Sequence, residues 1–464
     1  MSLTISREVA LPTAAQLRRL DVPGPRYTSY PTADRFVEAY DAAAHEHALA
    51  TRTAGSGPLS LYVHLPFCDT VCYYCACNKI VTRDHSRTNR YLEALEREAD
   101  LVSSCLAGRR EVGQLHFGGG TPTFLSSDEL RRLVTLLRKC FAPVDRAEFS
   151  VEIDPRSAPA EKVRTLAELG CNRISIGVQD FDADVQQAVN RLQTFELTQA
   201  TIEATRAAGI GSINLDLIYG LPRQTRASFA GTLDKVLVLS PERIALYHYA
   251  HMPERFKPQR RIDTTELPSP DEKMRIMLDA ISRLSSAGYR YVGMDHFAKA
   301  SDDLALAQSQ GRLHRNFQGY STRPSADLVG LGVSAISKVG PTYAQNAREL
   351  DTYYQRLADG ALPTVRGVLL DSDDIVRRAV IMALMCHFEV SKEAISEANL
   401  IEFDRYFARD LIELRRFVDE GLVEETQEWI TVTPRGKLLV RAVAMCFDKY
   451  IRHDARARNY SRLV

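Results

Sequence analysis

The chain is predicted to be an α/β protein with a partial, open (β/α)6 barrel, an N-terminal arm and a mostly helical C-terminal domain. Three observations predict this. From about residue 58, short β-branched or aromatic runs alternate with longer amphipathic helical patterns, as βαβ units around a parallel sheet do. Six such runs follow one another up to residue 249, fewer than a complete barrel needs. After about residue 360 the strand rhythm stops and the pattern turns helical. A length of 464 residues allows about two or three units with ample core.

Taken in order, residues 1–57 carry no strong periodicity, and GPRYTSYPTA at 24–33 holds two prolines that discourage regular structure, so this part is expected to be an extended arm. The predicted strands are SLYVHL (60–65), QLHF (114–117), EFSVEI (148–153), RISIGV (173–178), SINLDLIY (212–219) and RIALYHY (243–249). Amphipathic helices at 91–102, 127–141 and 161–169 lie between them. A further strand, YRYVGMDHF (289–297), follows a helix at 271–288 and is expected to extend the sheet of a 58–360 barrel domain. Residues 361–464 hold two long helical patterns, a hairpin-like LVEETQEWITVT and a last helix from Pro434, a winged-helix flavour. Their 16 basic and 17 acidic side chains leave no basic footprint for nucleic acid, and a lid over the barrel is the expectation.

The whole chain has 59 lysines and arginines against 59 aspartates and glutamates, hence no global attraction to nucleic acid or an acidic membrane. The N-terminus lacks the basic start and apolar core of a secretory signal. The apolar run AVIMALMC (379–386) falls short of the ~18 residues of a membrane span. A soluble, cytoplasmic protein without membrane or nucleic-acid partners is expected. Of nine cysteines, Cys105, Cys140, Cys171, Cys386 and Cys446 sit in apolar or helical contexts, as small buried hydrophobes do.

The other four, Cys68, Cys72, Cys75 and Cys77, crowd into ten residues after the first strand. Thiolates hold iron–sulfur clusters, one per iron. The spacing C-x3-C-x2-C supplies three, with Cys77 as a possible fourth; if only three bind, one iron stays open to a small molecule. Four thiolates also suit zinc, although ten residues make a cramped tetrahedron. Reactive residues of parallel βα folds gather where strands end. There stand Gly118, Gly119, Gly120 and Thr121 after the second strand, Glu152 after the third and Gln179 after the fourth. Asp216 lies in the fifth, and Tyr249, Ala250 and His251 end the sixth. An open cluster iron can be chelated by the amine and carboxylate of an amino acid, which fits S-adenosylmethionine. The glycines would admit its methionine portion, and the acids and amides its amines, hydroxyls or adenine edge.

The cysteine spacing followed by GGGTP resembles the radical S-adenosylmethionine (SAM) superfamily. GPRYTSYPTA, PFCDTVCYYCACNKIVTR, EIDPR, GVQDFD, VNR, NLDLIYGLP, GMDHFA, HRNFQGY and MCFDKYIR are similar, in order, to its oxygen-independent coproporphyrinogen III oxidase family. One small departure is His248, where the resemblance leads one to expect asparagine. The resemblance implies a radical-SAM barrel and two SAM molecules in one site. Cys68, Cys72 and Cys75 would ligate a [4Fe-4S] cluster. Tyr62, Tyr74, the Gly118 to Thr121 run, Glu152, Gln179, Arg191, Asp216, Ala250 and Ile336 would line the cofactor sites. Cys77 would serve activity without binding the cluster. The implied reaction turns two propionates of coproporphyrinogen III into vinyl groups, giving protoporphyrinogen IX for haem and porphyrin biosynthesis. Arg26, Arg260, Arg261, Lys299 and Arg315 are candidates to pair the substrate's propionates. A flavodoxin or ferredoxin would donate electrons to a monomer. A related tetrapyrrole enzyme or a haem chaperone is the alternative.

Overall fold

The computed structural model describes residues 11–52, 57–106, 108, 110–323, 327–451 and 460–462. Two compact units emerge: one from the described parts of 34–268 and 325–369, the other from those of 1–33, 269–324 and 370–464. The units are not contiguous in sequence, a grouping that local periodicity does not signal.

In the first unit, six strands run parallel in sequence order: Leu59–Leu65, Glu111–Gly119, Ala142–Ile153, Arg173–Gln179, Ser212–Tyr219 and Arg243–His248. Each contains or overlaps its predicted run. The third starts six residues early because its first half is largely solvent-facing, so no apolar pattern marks it. The two-residue strand period decides what faces inward. In the fourth strand Ile174, Ile176 and Val178 are buried while Ser175, Gly177 and Gln179 share the opposite face. In the fifth, Ile213, Leu215 and Leu217 are fully buried, and Asn214 and Asp216 alternate with them.

Helices Arg87–Cys105, Ser127–Cys140, Ala160–Glu168, Phe195–Ala207 and Arg226–Leu239 connect the strands. Ser127–Cys140 shows why such segments are helical: Ser126 and Glu129 close a capping box, and Leu130, Leu133, Val134 and Leu137 form one buried stripe. On its other edge the first strand pairs in parallel with Leu328–Leu331, which continues antiparallel into Ile336–Val339, Thr342–Asn346 and Thr364–Leu369. This edge hangs on Glu98, which is buried. Its carboxylate accepts from Gly332 N (2.7 Å), Tyr353 OH (2.6 Å) and Asn346 Nδ2 (2.6 Å).

The second unit corrects three expectations. The arm is not wholly extended: Ala14–Leu20 is a helix closed by a Thr13/Gln16 capping box, too short to show periodicity. The irregular stretch that follows buries Tyr27 and Tyr30 completely; Tyr27 OH donates to Asp448 Oδ2 at 3.0 Å. A second arm helix, Ala42–Ala50, belongs to the barrel unit. YRYVGMDHF is not one strand but two, Tyr289–Gly293 and His296–Lys299, paired antiparallel. The chain reverses at Gly293 (φ 146°) and Met294 (φ 50°), a conformation that glycine permits. The last helix starts later than Pro434, as a 3-10 turn at Lys437–Leu439 continuing into Val440–Met445, because Gly436 N closes a turn on Thr433 O. The helices Ser372–His387, Lys392–Asn399 and Ala408–Asp419 accompany a three-stranded sheet of Glu389–Ser391, Trp429–Val432 and Val423–Glu425. Among the described residues no helix is long and apolar enough to cross a membrane.

Burial pushes the Glu98 carboxyl up from its ordinary value of 4.5 to about 7, despite its three donors. A carboxyl raised on folding adds stability below its unfolded pKa, and that contribution is lost as pH rises through the folded one. Wild type should therefore lose melting temperature relative to Glu98→Gln between pH 5 and 8. A pH-independent difference between the two would refute this assignment.

Candidate active site

The four clustered cysteines lie on a loop closed at its base. Phe67–Cys68 pairs in parallel with Ile80–Val81, with Ile80 N donating to Pro66 O (2.7 Å) and Thr82 N to Cys68 O (2.9 Å). Three consecutive residues after the fourth strand pin the loop. Val189 O accepts from Tyr73 N at 3.0 Å, Asn190 Nδ2 donates to Val71 O at 2.8 Å, and Arg191 Nη1 reaches Cys72 Sγ at 3.6 Å. Asn190 takes φ 55° to do so, a left-handed conformation that asparagine tolerates. From the far side Gln259 Nε2 donates to Tyr74 O (3.0 Å) and Ala250 O (3.2 Å).

Arg156 Nη2 also donates to Cys72 Sγ, at 3.7 Å. Asp154 balances both guanidiniums, at 3.0 Å from Arg191 and 2.6 Å from Arg156. Burial would raise the Asp154 carboxyl, but Arg191 and Arg156 outweigh it and hold it below the usual carboxylate range. Burial pushes the Cys68 thiol up to about 12. The Cys77 thiol, hydrogen-bonded to Cys75, pulls Cys75 down to about 6 with help from the Lys79 ammonium, while Cys77 itself rises.

The glycine run lies against this loop. Gly120 N donates to Leu65 O (2.8 Å), Thr121 N to Phe67 O (2.9 Å), and Thr121 Oγ1 sits 3.3 Å from Cys68 Sγ. A Cβ at Gly120 would stand 2.6 Å from the Pro66 carbonyl, and one at Gly118 2.9 Å from the Glu152 carboxylate. Glu152 accepts from Gly119 N (3.3 Å) and from His116 Nε2 (3.2 Å). Burial works against its charge, yet His116 and the Gly119 amide hold it below its ordinary value. Asp216 accepts from Ser175 Oγ (3.1 Å) and Asn214 Nδ2 (2.8 Å); burial and the neighbouring Glu152 charge push it up to about 6. Gln179 sits at φ 71°.

These parts enclose a cavity of about 440 Å³. Of the predicted site residues, Cys68, Cys72, Tyr74, Cys75, Cys77, Gly119, Gly120, Thr121, Glu152, Gln179, Arg191 and Asp216 line it. Gly118 stands behind Glu152. Tyr62 stacks on His116 with centroids 5.7 Å apart. Ala250 enters only through its carbonyl on Gln259, and Ile336 begins an inner strand of the sheet, opposite Gln345. None of the five candidate propionate cations is among the lining residues. Sequence reasoning missed Asp154, Arg156, Ser175 and Lys79, which do line it, and His116. Strand alternation back from Gly118 and Gly177 would have found His116 and Ser175. Asp154 and Arg156 follow directly on the third strand, where strand-end chemistry is expected.

The donor set suits an iron–sulfur cluster. Three thiols on a pinned loop face a backbone cradle that even one extra methyl would invade, and a cluster takes one thiolate per iron. Among the described residues no three His, Cys, Asp or Glu side chains converge as on a single metal ion.

The chain is similar to known proteins over nearly its whole length. The Radical SAM superfamily profile matches residues 62–236, and that of the HemN C-terminal domain matches residues 370–439. The chain is 50% identical over 450 residues to the oxygen-independent coproporphyrinogen III oxidase of Pseudomonas aeruginosa, covering 97% of this chain and 98% of that one. It is 46% identical over 450 residues to that of Escherichia coli K12, with the same coverage. The solved structure described as "Coproporphyrinogen III oxidase (HemN) from Escherichia coli is a Radical SAM enzyme" superposes with a TM-score of 0.90 at 45% identity, over 95% of this chain and 99% of that one.

Gly120→Ala should cost about 1–3 kcal/mol, lowering the melting temperature and loosening the loop. Faster alkylation of Cys68 than in wild type is the readout, and unchanged protection would contradict the cradle's role.

Proposed function

The chain belongs to the oxygen-independent coproporphyrinogen III oxidase family of the radical SAM superfamily, and on that footing we propose how its residues divide the work. It is an oxidoreductase of haem and porphyrin biosynthesis that converts coproporphyrinogen III to protoporphyrinogen IX without oxygen. Each of two propionates loses a β hydrogen atom, carbon dioxide and one electron, leaving a vinyl group. When bound, an iron–sulfur cluster and SAM supply the 5′-deoxyadenosyl radical that takes the hydrogen atom, chemistry belonging to the cofactors.

Cys68, Cys72 and Cys75 hold the cluster as [4Fe-4S], leaving one iron without a protein ligand. Two SAM molecules share the site. Gly118 to Thr121 admit them against the backbone; Glu152 and Asp216 accept their amines and hydroxyls; Gln179 and Arg191 supply donors. Tyr74 completes the wall; Tyr62, Ala250 and Ile336 are assigned to the SAM molecules by the family pattern, although none of the three lines this cavity. Cys77, the exposed thiol of the four, is kept for turnover. Arg26, Arg260, Arg261, Lys299 and Arg315 compete for the propionates, whose burial requires cations. A flavodoxin or ferredoxin delivers the electron. The observation that carries this reading is the meeting of the thiol loop, the glycine run and the strand-end acids in one cavity.

The test is anaerobic reconstitution with iron and sulfide, followed by reductant, SAM and coproporphyrinogen III. Divinyl product with 5′-deoxyadenosine is expected; cofactor cleavage without decarboxylation, or haem binding without turnover, would overturn the reading. Cys68→Ala, Cys72→Ala and Cys75→Ala should each lose the cluster and all activity, whereas Cys77→Ser should keep its iron and lose more than about 90% of turnover, an effect of at least ~1.4 kcal/mol. Burial and Glu152 push the Asp216 carboxyl up to about 6, and its ionised form binds a ligand's amine more strongly than the neutral acid does. SAM affinity should therefore fall as pH drops through about 6, and Asp216→Asn should flatten that profile in a binding titration.

A further inference from the structure

Beside the thiol loop, within the same compact unit, lies a second cavity of about 380 Å³. Lys79, Arg87, Arg90 and Arg348 line it, against the acids Glu349 and Asp351. In a chain of zero net charge this is a local surplus. Among the described residues none of the four cations takes part in an ion pair; Arg90 instead lies over the Tyr354 ring at 4.2 Å. Arg87 and Arg90 occupy the first turn of Arg87–Cys105, a turn that holds no acid. The positive end of a helix dipole disfavours cations there, so helix stability does not explain them. The groove also adjoins the cluster loop. Lys79 lines both cavities and donates to Cys75 O at 3.2 Å, and Asn78 Nδ2 donates to Arg348 O at 3.1 Å.

We propose that this groove is the docking surface for an acidic one-electron carrier protein. The inference rests on the radical SAM reading above, which requires an electron from outside the chain. The carrier's carboxylates would meet Arg87, Arg90 and Arg348 and place its redox centre against the 75–80 limb of the loop. One electron passes from the reduced carrier to the cluster, the carrier is oxidised by one electron, and no proton or bond changes partner. Complementary charge governs such encounters through on-rate and specificity.

The experiment uses the full-length enzyme with a purified, reduced flavodoxin as probe. Arg87→Glu/Arg348→Glu should weaken flavodoxin binding at least about tenfold at low salt and slow flavodoxin-driven turnover in parallel. Dithionite-driven turnover should match wild type. Arg164→Glu/Arg409→Glu, an equal charge change at exposed positions elsewhere, should bind flavodoxin as wild type does. Replacing Arg87 by an acid suits the helix dipole, so the helix is not put at risk. Unchanged flavodoxin binding in the groove variant would overturn the proposal, as would an equal loss in the control. So would a raised KM for coproporphyrinogen III under dithionite, which would assign the groove to substrate. If wild type makes no product even with dithionite, the reading of function fails, and the binding comparison still decides the groove.

Discussion

A buried arginine holds the site together. Arg191 is 6% exposed, and a charge so placed is tolerated only when paired and hydrogen-bonded. Its guanidinium meets Asp154 Oδ2 (3.0 Å), Gly177 O (2.7 Å), Gln193 Oε1 (3.0 Å) and Cys72 Sγ (3.6 Å). One side chain thereby ties the third strand's end, the fourth strand and the cysteine loop into one frame. Gly177 is part of the same constraint, because a Cβ there would lie 3.0 Å from both Arg191 Nη2 and Gln179 Nε2.

The neighbouring thiols differ in exposure around this frame. Cys68 and Cys72 are buried at its inner side, Cys75 is half-buried, and Cys77 is exposed. Besides the arginine contacts to the Cys72 sulfur, hydrogen bonds of Ile80, Thr82, Tyr73, Asn190 and Gln259 fix the loop backbone without using a thiol. On its outer limb Lys79 faces two cavities at once, which makes residues 75–80 the wall between the buried chemistry and the surface.

Much of the barrel was legible because its signals are local. Apolar alternation marks each parallel strand, and strand-end chemistry places Glu152, Gln179 and Asp216 around one cavity. What escaped lacks such signals. The strands between Leu328 and Leu369 are short, and one Glu98 carboxylate organises them from far along the chain. The helix Ala14–Leu20 is too brief for periodicity, and Tyr27 and Tyr30 are buried from within an irregular stretch. Asp154 and Arg156 sit one step beyond the apolar run, where a pattern of burial gives no cue to an ion pair.

If Cys68, Cys72 and Cys75 bind the cluster, one iron is left for SAM. The most direct measurement is the electron paramagnetic resonance spectrum of the reduced, reconstituted protein before and after SAM is added. A [4Fe-4S] signal whose g values shift on addition of SAM is predicted. A signal that SAM leaves unchanged, or a protein that retains zinc and no iron, would contradict it.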